Sequence, residues 1–410
     1  MTLNNLITNI EEAEALYLDL KTRELSIDLT RGKPDASQLD LSLGLEGILQ
    51  GQTIIDGIDI RNYGEPLGLE SCRELGSEIL GCDKEYVLAG GNSSLTLMSQ
   101  YISSLFFHGS GRGPWSGKER ISFLCPVPGY DRHFKLCEEF GINMIPVDLT
   151  GEGPDLGSVR QLVLKDQSIK GIWCVPKHSN PTGETYSKEI IKGLLEIARE
   201  AKQNFKIFWD NAYAVHDFEL SSKLEDIFEL AKGLDVIDSV IAFASTSKIT
   251  YAGSGIGFLA LSKSNLDLFL KHYLSLVIGP DKVNQAKHVN FFQKNGGVAA
   301  HMKEHAAILK PKFELVYRWL SKQNYGTWTK PTGGYFVSFT SQEGLAKEII
   351  SLASTLGLKL TPPGMTFPYG VDPKDDNIRL APTACSIEEL EQAMEIFVCC
   401  VALATLRRSS

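Results

Sequence analysis

The sequence predicts an α/β protein: a mostly parallel central sheet sandwiched by helices, joined to a smaller α+β unit. Three observations predict it. Strand-length apolar runs alternate with helical patterns from about Tyr63 to Ser262. Long helical patterns and short strands then take over toward the C-terminus. The composition, 43% hydrophobic and 22% charged over 410 residues, suits a globular chain that buries a large core without disulfide or metal staples.

The apolar runs are Ile121–Cys125, Ile142–Leu149, Gly171–Val175, Phe205–Trp209, Val240–Ala244 and Ile256–Leu261. Between them lie amphipathic stretches such as Ser187–Lys202, whose Ile190, Ile191, Leu194, Leu195 and Ile197 make one apolar stripe. Strands alternating with helices require crossover connections and a buried parallel sheet. The Gly-rich stretch Phe107–Arg120 reads as a surface loop. Helical patterns follow at Leu266–Val277 and Asn284–Gln323, then paired strands over Trp328–Thr340 around Gly333-Gly334. A helix at Glu343–Leu356, strands at Leu358–Leu360 and Asn377–Leu380, and a last helix from Ser386 complete the smaller unit.

The formal charge of −9 argues against a nucleic-acid or anionic-membrane surface. Eight scattered cysteines without a C-x-x-C pair read as buried reduced thiols, which fits the cytoplasm. Met1–Leu20 lacks the basic start and apolar core of a signal peptide, and no apolar stretch is long enough for a transmembrane helix.

Open parallel sheets bind ligands at the ends of their strands, so polar residues there are the informative ones. Gly90-Gly91-Asn92-Ser93-Ser94 precedes a helix, where free N–H groups suit an anion; a capped tight turn is the plainer alternative. Asn180-Pro181-Thr182-Gly183 follows the run ending at Val175, and Asp210-Asn211-Ala212-Tyr213 follows the run ending at Trp209. A carboxylate there is expensive to bury unless it meets a cation, and a satisfied turn aspartate is its bland reading. Ser245-Thr246-Ser247-Lys248 sets an amine among hydroxyls; burial would make it a nucleophile, exposure an ordinary surface lysine. Arg379, between Ile378 and Leu380, calls for a carboxylate, structural or substrate.

In order and spacing these motifs resemble the fold-type I pyridoxal-5′-phosphate (PLP) aminotransferases, over about Asp28 to the C-terminal helix. Gly90–Ser94, Pro126–Tyr130, Ser245–Lys248 and Ile378–Thr383 are most similar to the divergent bacterial subgroup of aspartate aminotransferases. The resemblance implies a large PLP-binding domain over 51–304 and a small domain built from 1–50 and 305–410. It implies that Lys248 carries the cofactor, Asp210 pairs with its ring nitrogen, and Asn180 and Tyr213 bind its phenolic oxygen. Gly91, Asn92, Ser93 and Ser245 would hold the phosphate, joined by Tyr63 of a neighbouring subunit in a homodimer with active sites at the interface. Arg379 would bind the substrate α-carboxylate, and Gly32, in Arg31-Gly32-Lys33-Pro34, marks a segment that closes over the substrate. Lys248, Asp210 and Tyr213 are thus the expected catalytic residues. The implied reaction is ping-pong transfer from an L-amino acid, aspartate first, to a 2-oxo acid, 2-oxoglutarate first.

Two departures stand out. The family's phosphate-binding arginine, eight residues after the lysine, is Ile256 here. The usual ring-stacking aromatic aligns with Val127, which leaves Tyr130 as the substitute, with simple packing as its alternative. A dicarboxylic substrate also needs a second cation, for which Lys282 and Arg31 are the candidates. Rival readings are a PLP lyase or decarboxylase on the same scaffold, a PLP-binding regulator, and a zinc hydrolase. The last would use His301-Met302-Lys303-Glu304-His305, an H-x-x-E-H spacing known from zinc peptidases. A regulator would need a DNA-binding module, of which the first 50 residues carry no pattern. The zinc site lacks a convincing third ligand, so no metal is expected.

Overall fold

The computed structural model describes residues 7–110, 113–117, 120–201, 204–219 and 224–409. Seven strands form the central sheet: β1 (Val87–Ala89), β2 (Ser122–Val127), β3 (Asn143–Asp148), β4 (Ile169–Cys174), β5 (Lys206–Asp210), β6 (Val240–Ser245) and β7 (Gly257–Leu261). Their order is β1-β7-β6-β5-β4-β2-β3. All neighbours run parallel except β7, which is antiparallel to both β1 and β6. Six apolar runs therefore become strands within a residue or two of their expected bounds. The short β1 carries no periodicity by which sequence alone would single it out.

Burial explains those runs. Every residue of β4 and β5 is buried, because helices cover both faces, whereas the edge strand β3 buries only Met144 and Val147. Successive side chains point to opposite faces. Ile172, Ile207 and Trp209 join one core with Ile191 and Leu194 of the helix Lys188–Glu200. Trp173 and Phe208 join the other, with Tyr101 and Phe123.

The smaller sheet is β8 (Gly326–Trp328), β9 (Val337–Ser341) and β10 (Asn377–Leu380), all antiparallel. Phe339 and Ile378 from it pack with Ile349 and with Phe397 of the last helix, Ile387–Ser409. The N-terminal chain joins this core: Ile27–Asp28 pairs parallel with Leu358–Lys359, and Ala13 packs on Ala402 and Leu403.

Two expectations need correction. The single helix expected over Asn284–Gln323 is two, Lys282–Lys294 and Gly297–Leu320. The break is Gly296-Gly297, with φ of +79° and +85°, which side-chain-bearing residues rarely adopt. The apolar pattern runs on across the break and hides it. Nor is Phe107–Arg120 wholly a surface loop, because Trp115 is buried edge-on between Phe106 and Phe123. Residues 111–112 and 118–119 of that stretch, and Lys202 at the end of the expected Ser187–Lys202 helix, lie outside the described residues. All eight cysteines are buried and unpaired.

Parallel strands deliver their C-terminal ends to one side of the sheet, and from there the chain reaches Asn180, Asp210 and Lys248. The Asn180 loop is pinned by Gly183, whose amide donates to the Ser179 carbonyl. Gly183 has φ +73°, and a Cβ there would lie 2.4 Å from Cβ of Pro331. Gly183→Ala should therefore combine backbone strain with a clash and lower stability by about 2 kcal/mol or more. Urea unfolding monitored by fluorescence tests this; an unchanged midpoint would contradict the stated packing.

Candidate active site

Asp210 is the last residue of β5, in the middle of the sheet, and only 2% exposed. Its Oδ2 lies 2.9 Å from Nε2 of His133, while its Oδ1 is buried without a hydrogen-bond partner. His133 sits on α3 (Asp131–Glu139), which follows α1 (Ala36–Asp40) and α2 (Ser94–Phe107) along the chain. Its ring stacks on Trp173 of β4, with centroids 4.1 Å apart and an 8° interplanar angle. Since Asp210 only accepts, the Nε2 of His133 is the donor.

Lys248 follows β6 in a tight turn in which Ile249 and Thr250 donate their amides to the Thr246 carbonyl. Its amine stands over the Tyr213 ring, 5.0 Å from the centroid. Burial lowers its pKa and the Asp210 charge partly opposes that shift, so the amine deprotonates more easily than a surface lysine. Tyr213 is buried, and burial, with Tyr130 and Asp210 nearby, holds its hydroxyl well above the ordinary range.

Arg379, on β10, is 6% exposed and fully engaged. Its Nη1 donates to Oδ1 of Asn180 and Oδ1 of Asp131, each at 3.2 Å. Its Nε donates to Thr361 at 3.2 Å and its Nη2 to the Thr30 carbonyl at 3.1 Å. The guanidinium carbon lies 4.9 Å over the Phe336 ring. The central sheet, the small sheet and the N-terminal segment thus meet at one cation.

A cleft of about 690 Å³ gathers these groups. Lys248, Tyr213, Asn180, Tyr130, Arg379 and Gly32 all line it, and Asp210, buried and outside the lining, lies near enough for its charge to act on the Lys248 amine. The expected phosphate residues sit beside it. Gly91 accepts from the Gly257 amide, and the Ser247 hydroxyl reaches the Asn92 carbonyl at 3.4 Å. Ser93 stands at the N-cap of α2 without bonding the helix through its side chain, and Ser245 ends β6 opposite Gly257. Ile256 is buried in the core. Tyr63 is 80% exposed and does not line the cleft. Tyr130 lines the cleft while Val127 is buried in β2.

Lys282 is not a cleft cation: it is buried, with its amine 3.0 Å from the Gly64 carbonyl. Arg31 lines the cleft, and so do Lys33 and Arg132. Sequence reasoning missed Arg132 and His133, although both lie within three residues of Tyr130, because neither helical spacing nor charge distinguishes them from surface residues of a short helix. His301 and His305 share a face of the helix Gly297–Leu320 with their Nε2 atoms 3.2 Å apart, but Glu304 is exposed. Among the described residues no group of three ligating side chains accompanies them.

The site fits PLP. Asp210 has a free buried carboxylate oxygen, Lys248 a buried amine in the cleft, and α2 a start whose cap serine is unbonded to its helix. The family model described as aspartate amino-transferase matches residues 1–410. An aspartate aminotransferase of Corynebacterium glutamicum is 41% identical over 405 residues, covering 96% of this chain and 93% of its own. The crystal structure of an aspartate transaminase from that organism superposes with a TM-score of 0.93 at 40% identity, covering 98% of this chain and 96% of the other. LysN, the α-aminoadipate aminotransferase of Thermus thermophilus, solved with N-(5′-phosphopyridoxyl)-L-leucine, shares the fold at a TM-score of 0.76 and 19% identity, covering 97% and 98%.

The buried histidines make stability depend on pH. Burial pushes His305 down to about 4, from an ordinary 6.5. Between those values the unfolded chain takes up a proton that the folded state refuses. Stability therefore falls as pH drops from 6.5 toward 4, by an amount of order 3 kcal/mol from this residue. Urea titrations at pH 7 and pH 5 should show the drop, and His305→Gln should reduce it. A pH-independent midpoint across that window would contradict the buried neutral imidazole.

Proposed function

The chain belongs to the aspartate aminotransferase family, PLP-dependent enzymes of fold type I, and on that premise we propose that it transfers the amino group of L-aspartate to 2-oxoglutarate. The observation that carries the reading is the convergence of a buried lysine amine, an aspartate with one unpartnered oxygen and a buried arginine on one cleft. PLP, when bound, delocalises the charge left on the amino acid's Cα once its proton is removed.

The residues divide the work. Lys248 would hold the cofactor, and its amine, eased toward neutrality by burial, would move the proton at the substrate's Cα. Asp210, fixed by His133, sets a negative charge against the ring nitrogen. Asn180, Tyr213 and Tyr130, which line the cleft, would hold the ring, the first two by its phenolic oxygen and the third by its face. Gly91, Asn92, Ser93 and Ser245 hold the phosphate. Arg379 binds the α-carboxylate, with Asn180 already on its Nη1. The segment at Thr30–Pro34, which includes Gly32, covers the substrate and excludes water.

The distal carboxylate of aspartate requires another cation, and Arg132 is the one we assign. It lines the cleft next to Asp131, itself bonded to Arg379, and its own nearest acid is Asp131 at 3.9 Å. Donor specificity then follows from charge count: a dicarboxylic substrate meets both arginines, a monocarboxylic one only Arg379. The amino acid leaves as a 2-oxo acid before the second 2-oxo acid enters, a ping-pong cycle. Exposed Leu274, Leu276, Ile278 and Tyr63 support a homodimer, with Tyr63 reaching the phosphate of the neighbouring site. We place the enzyme in the cytoplasm, in keeping with eight unpaired thiols. Among the described residues no helix is long and apolar enough to cross a membrane.

Borohydride reduction of protein purified with PLP should label Lys248, and Lys248→Ala should abolish transamination. A label elsewhere would overturn the assignment. Arg132→Met should raise KM for aspartate and for 2-oxoglutarate by about tenfold or more, the loss of a charged hydrogen bond, while leaving turnover of alanine unchanged. If aspartate proved inactive and an aromatic or aliphatic donor turned over, the substrate assignment would fail.

A further inference from the structure

The H-x-x-E-H segment binds no metal in the reading above, yet its histidines are buried directly behind the reactive lysine. His301 lies 2.7 Å through its Nε2 from the Ile249 carbonyl, and His305 Nε2 lies 3.2 Å from His301 Nε2. The neighbouring Lys248 carbonyl faces Nε2 of His216 at 3.3 Å and accepts from the Tyr335 hydroxyl at 3.4 Å. The carbonyls that follow the reactive side chain are thus held by side chains of the loop after β5, the hairpin before β9 and a long helix.

The network does not end there. Gln38 Nε2 donates to the Tyr335 hydroxyl at 2.9 Å and faces Nδ1 of His305 at 3.1 Å. Its other end is committed, because Oε1 accepts the Asp35 amide in the capping box of α1. The amide orientation is therefore set, and Nδ1 of His305 must be the acceptor. That leaves the proton of His305 on Nε2, directed at the Ile249 carbonyl, which also accepts from Nε2 of His301. Both imidazoles have to be neutral, since a second proton on His305 would oppose the Gln38 amide donor and the adjacent His301. Around His305 the remaining ionisable groups are His301 on its own helix, Asp35 before α1, His216 in the loop after β5, and Tyr335.

Gln38 also belongs to the segment that roofs the cleft. Thr30–Pro34 line the cleft, the Thr30 carbonyl accepts from Arg379, and the Lys33 carbonyl accepts from Thr383. Asp35 pairs with the buried Lys312 and caps α1. A substrate carboxylate arriving at Arg379 therefore meets a group already bonded to this segment.

We propose that Gln38, Tyr335 and the His301–His305 pair are positioning residues, which tie the cleft-covering segment to the backbone of Lys248 so that seating the segment and aiming the amine are one event. The inference rests on Lys248 as the cofactor-bearing residue. Tyr335 also lays its ring 6.0 Å from the Lys248 amine and 5.8 Å from the Tyr213 ring, so it guides the amine directly, whereas Gln38 and the histidines act through Tyr335 or through the carbonyl of residue 249. Because an amine's direction follows from its backbone, loosening these carbonyls misdirects Nζ without removing it.

The test uses holoenzyme carrying Tyr335→Phe, Gln38→Met, or both, with three readouts. Each single variant should lower kcat for aspartate about five- to tenfold with KM changed less than twofold. The double variant should lose no more than the worse single one, because both cut the same chain of bonds. The pH midpoint of the visible absorbance of the lysine-bound cofactor should shift by about half a unit or more in all three, and hydrogen exchange in peptides covering 28–40 should rise. Unchanged kcat, additive losses, or an unmoved absorbance midpoint would each overturn the proposal. Should Gln38→Met fail to fold, Tyr335→Phe alone decides it, since it removes one hydroxyl and keeps the ring. Borohydride mapping on the same samples separates the two levels: a label off Lys248 defeats the site assignment, whereas a label on Lys248 with wild-type kinetics defeats only the positioning network.

Discussion

A carboxylate buried in the centre of a seven-stranded sheet is the constraint around which the site is arranged. Removing Asp210 from water costs several kcal/mol unless donors replace the lost solvation. His133 supplies one donor and is itself immobilised against Trp173, so Oδ2 is fixed in direction as well as charge. Oδ1 has no such partner. A buried acceptor left unmatched is tolerated where binding a ligand recovers the energy. The neighbouring amine of Lys248 faces the opposite problem. Burial favours its neutral form and the Asp210 charge favours its cation, and burial is the larger effect. A buried carboxylate set beside an amine eased toward neutrality is what a proton-moving site requires.

The same economy of charge governs the other wall. Arg379 is buried but surrounded by oxygens from four places: Asn180, Asp131, Thr361 and Thr30. Those residues come from the loop after β4, the start of α3, the small unit and the N-terminal segment. The arginine therefore exists in its final geometry only when all four have assembled, which makes the cleft a product of the whole chain.

Much of the fold is legible in the sequence because burial on both faces leaves continuous apolar runs, which is how six of the seven central strands announce themselves. The antiparallel direction of β7 is not legible, since a buried strand reads the same either way. The split at Gly296-Gly297 is hidden because both flanking helices keep an apolar stripe in step. Of the site, Lys248, Asp210, Asn180, Tyr213 and Arg379 were visible as polar residues at strand ends or between apolar neighbours, and the structure brings them together. His133, Arg132 and Gln38 were not visible. Their importance comes from what they touch across the fold, separations of 77 residues for His133–Asp210 and 267 for Gln38–His305, and no local pattern encodes such contacts. The histidine pair shows the converse: its spacing suggested a metal, whereas its burial behind Ile249 gives it carbonyl and amide partners instead.

The position that departs most from the family pattern, Ile256, follows from the same packing logic. Its amide donates to the Thr246 hydroxyl at 2.9 Å and its carbonyl accepts the Thr246 amide, so its backbone is locked against the lysine turn. Its side chain is 1% exposed and packs with Ala244 and Phe258 in the main core. An arginine in that rotamer would bury a cation among hydrocarbons, at a cost only a permanently bound anion offsets. With isoleucine the core closes without any ligand. In the proposed assignment the phosphate is held instead by Gly91, Asn92 and Ser93 at the start of α2, whose cap serine makes no side-chain bond to its helix, and by Ser245. Neutral donors of this kind hold a dianion less tightly than a guanidinium does, but they leave position 256 without a cation to bury. The exchange is between cofactor affinity and apoprotein stability, and in this chain the core has been favoured.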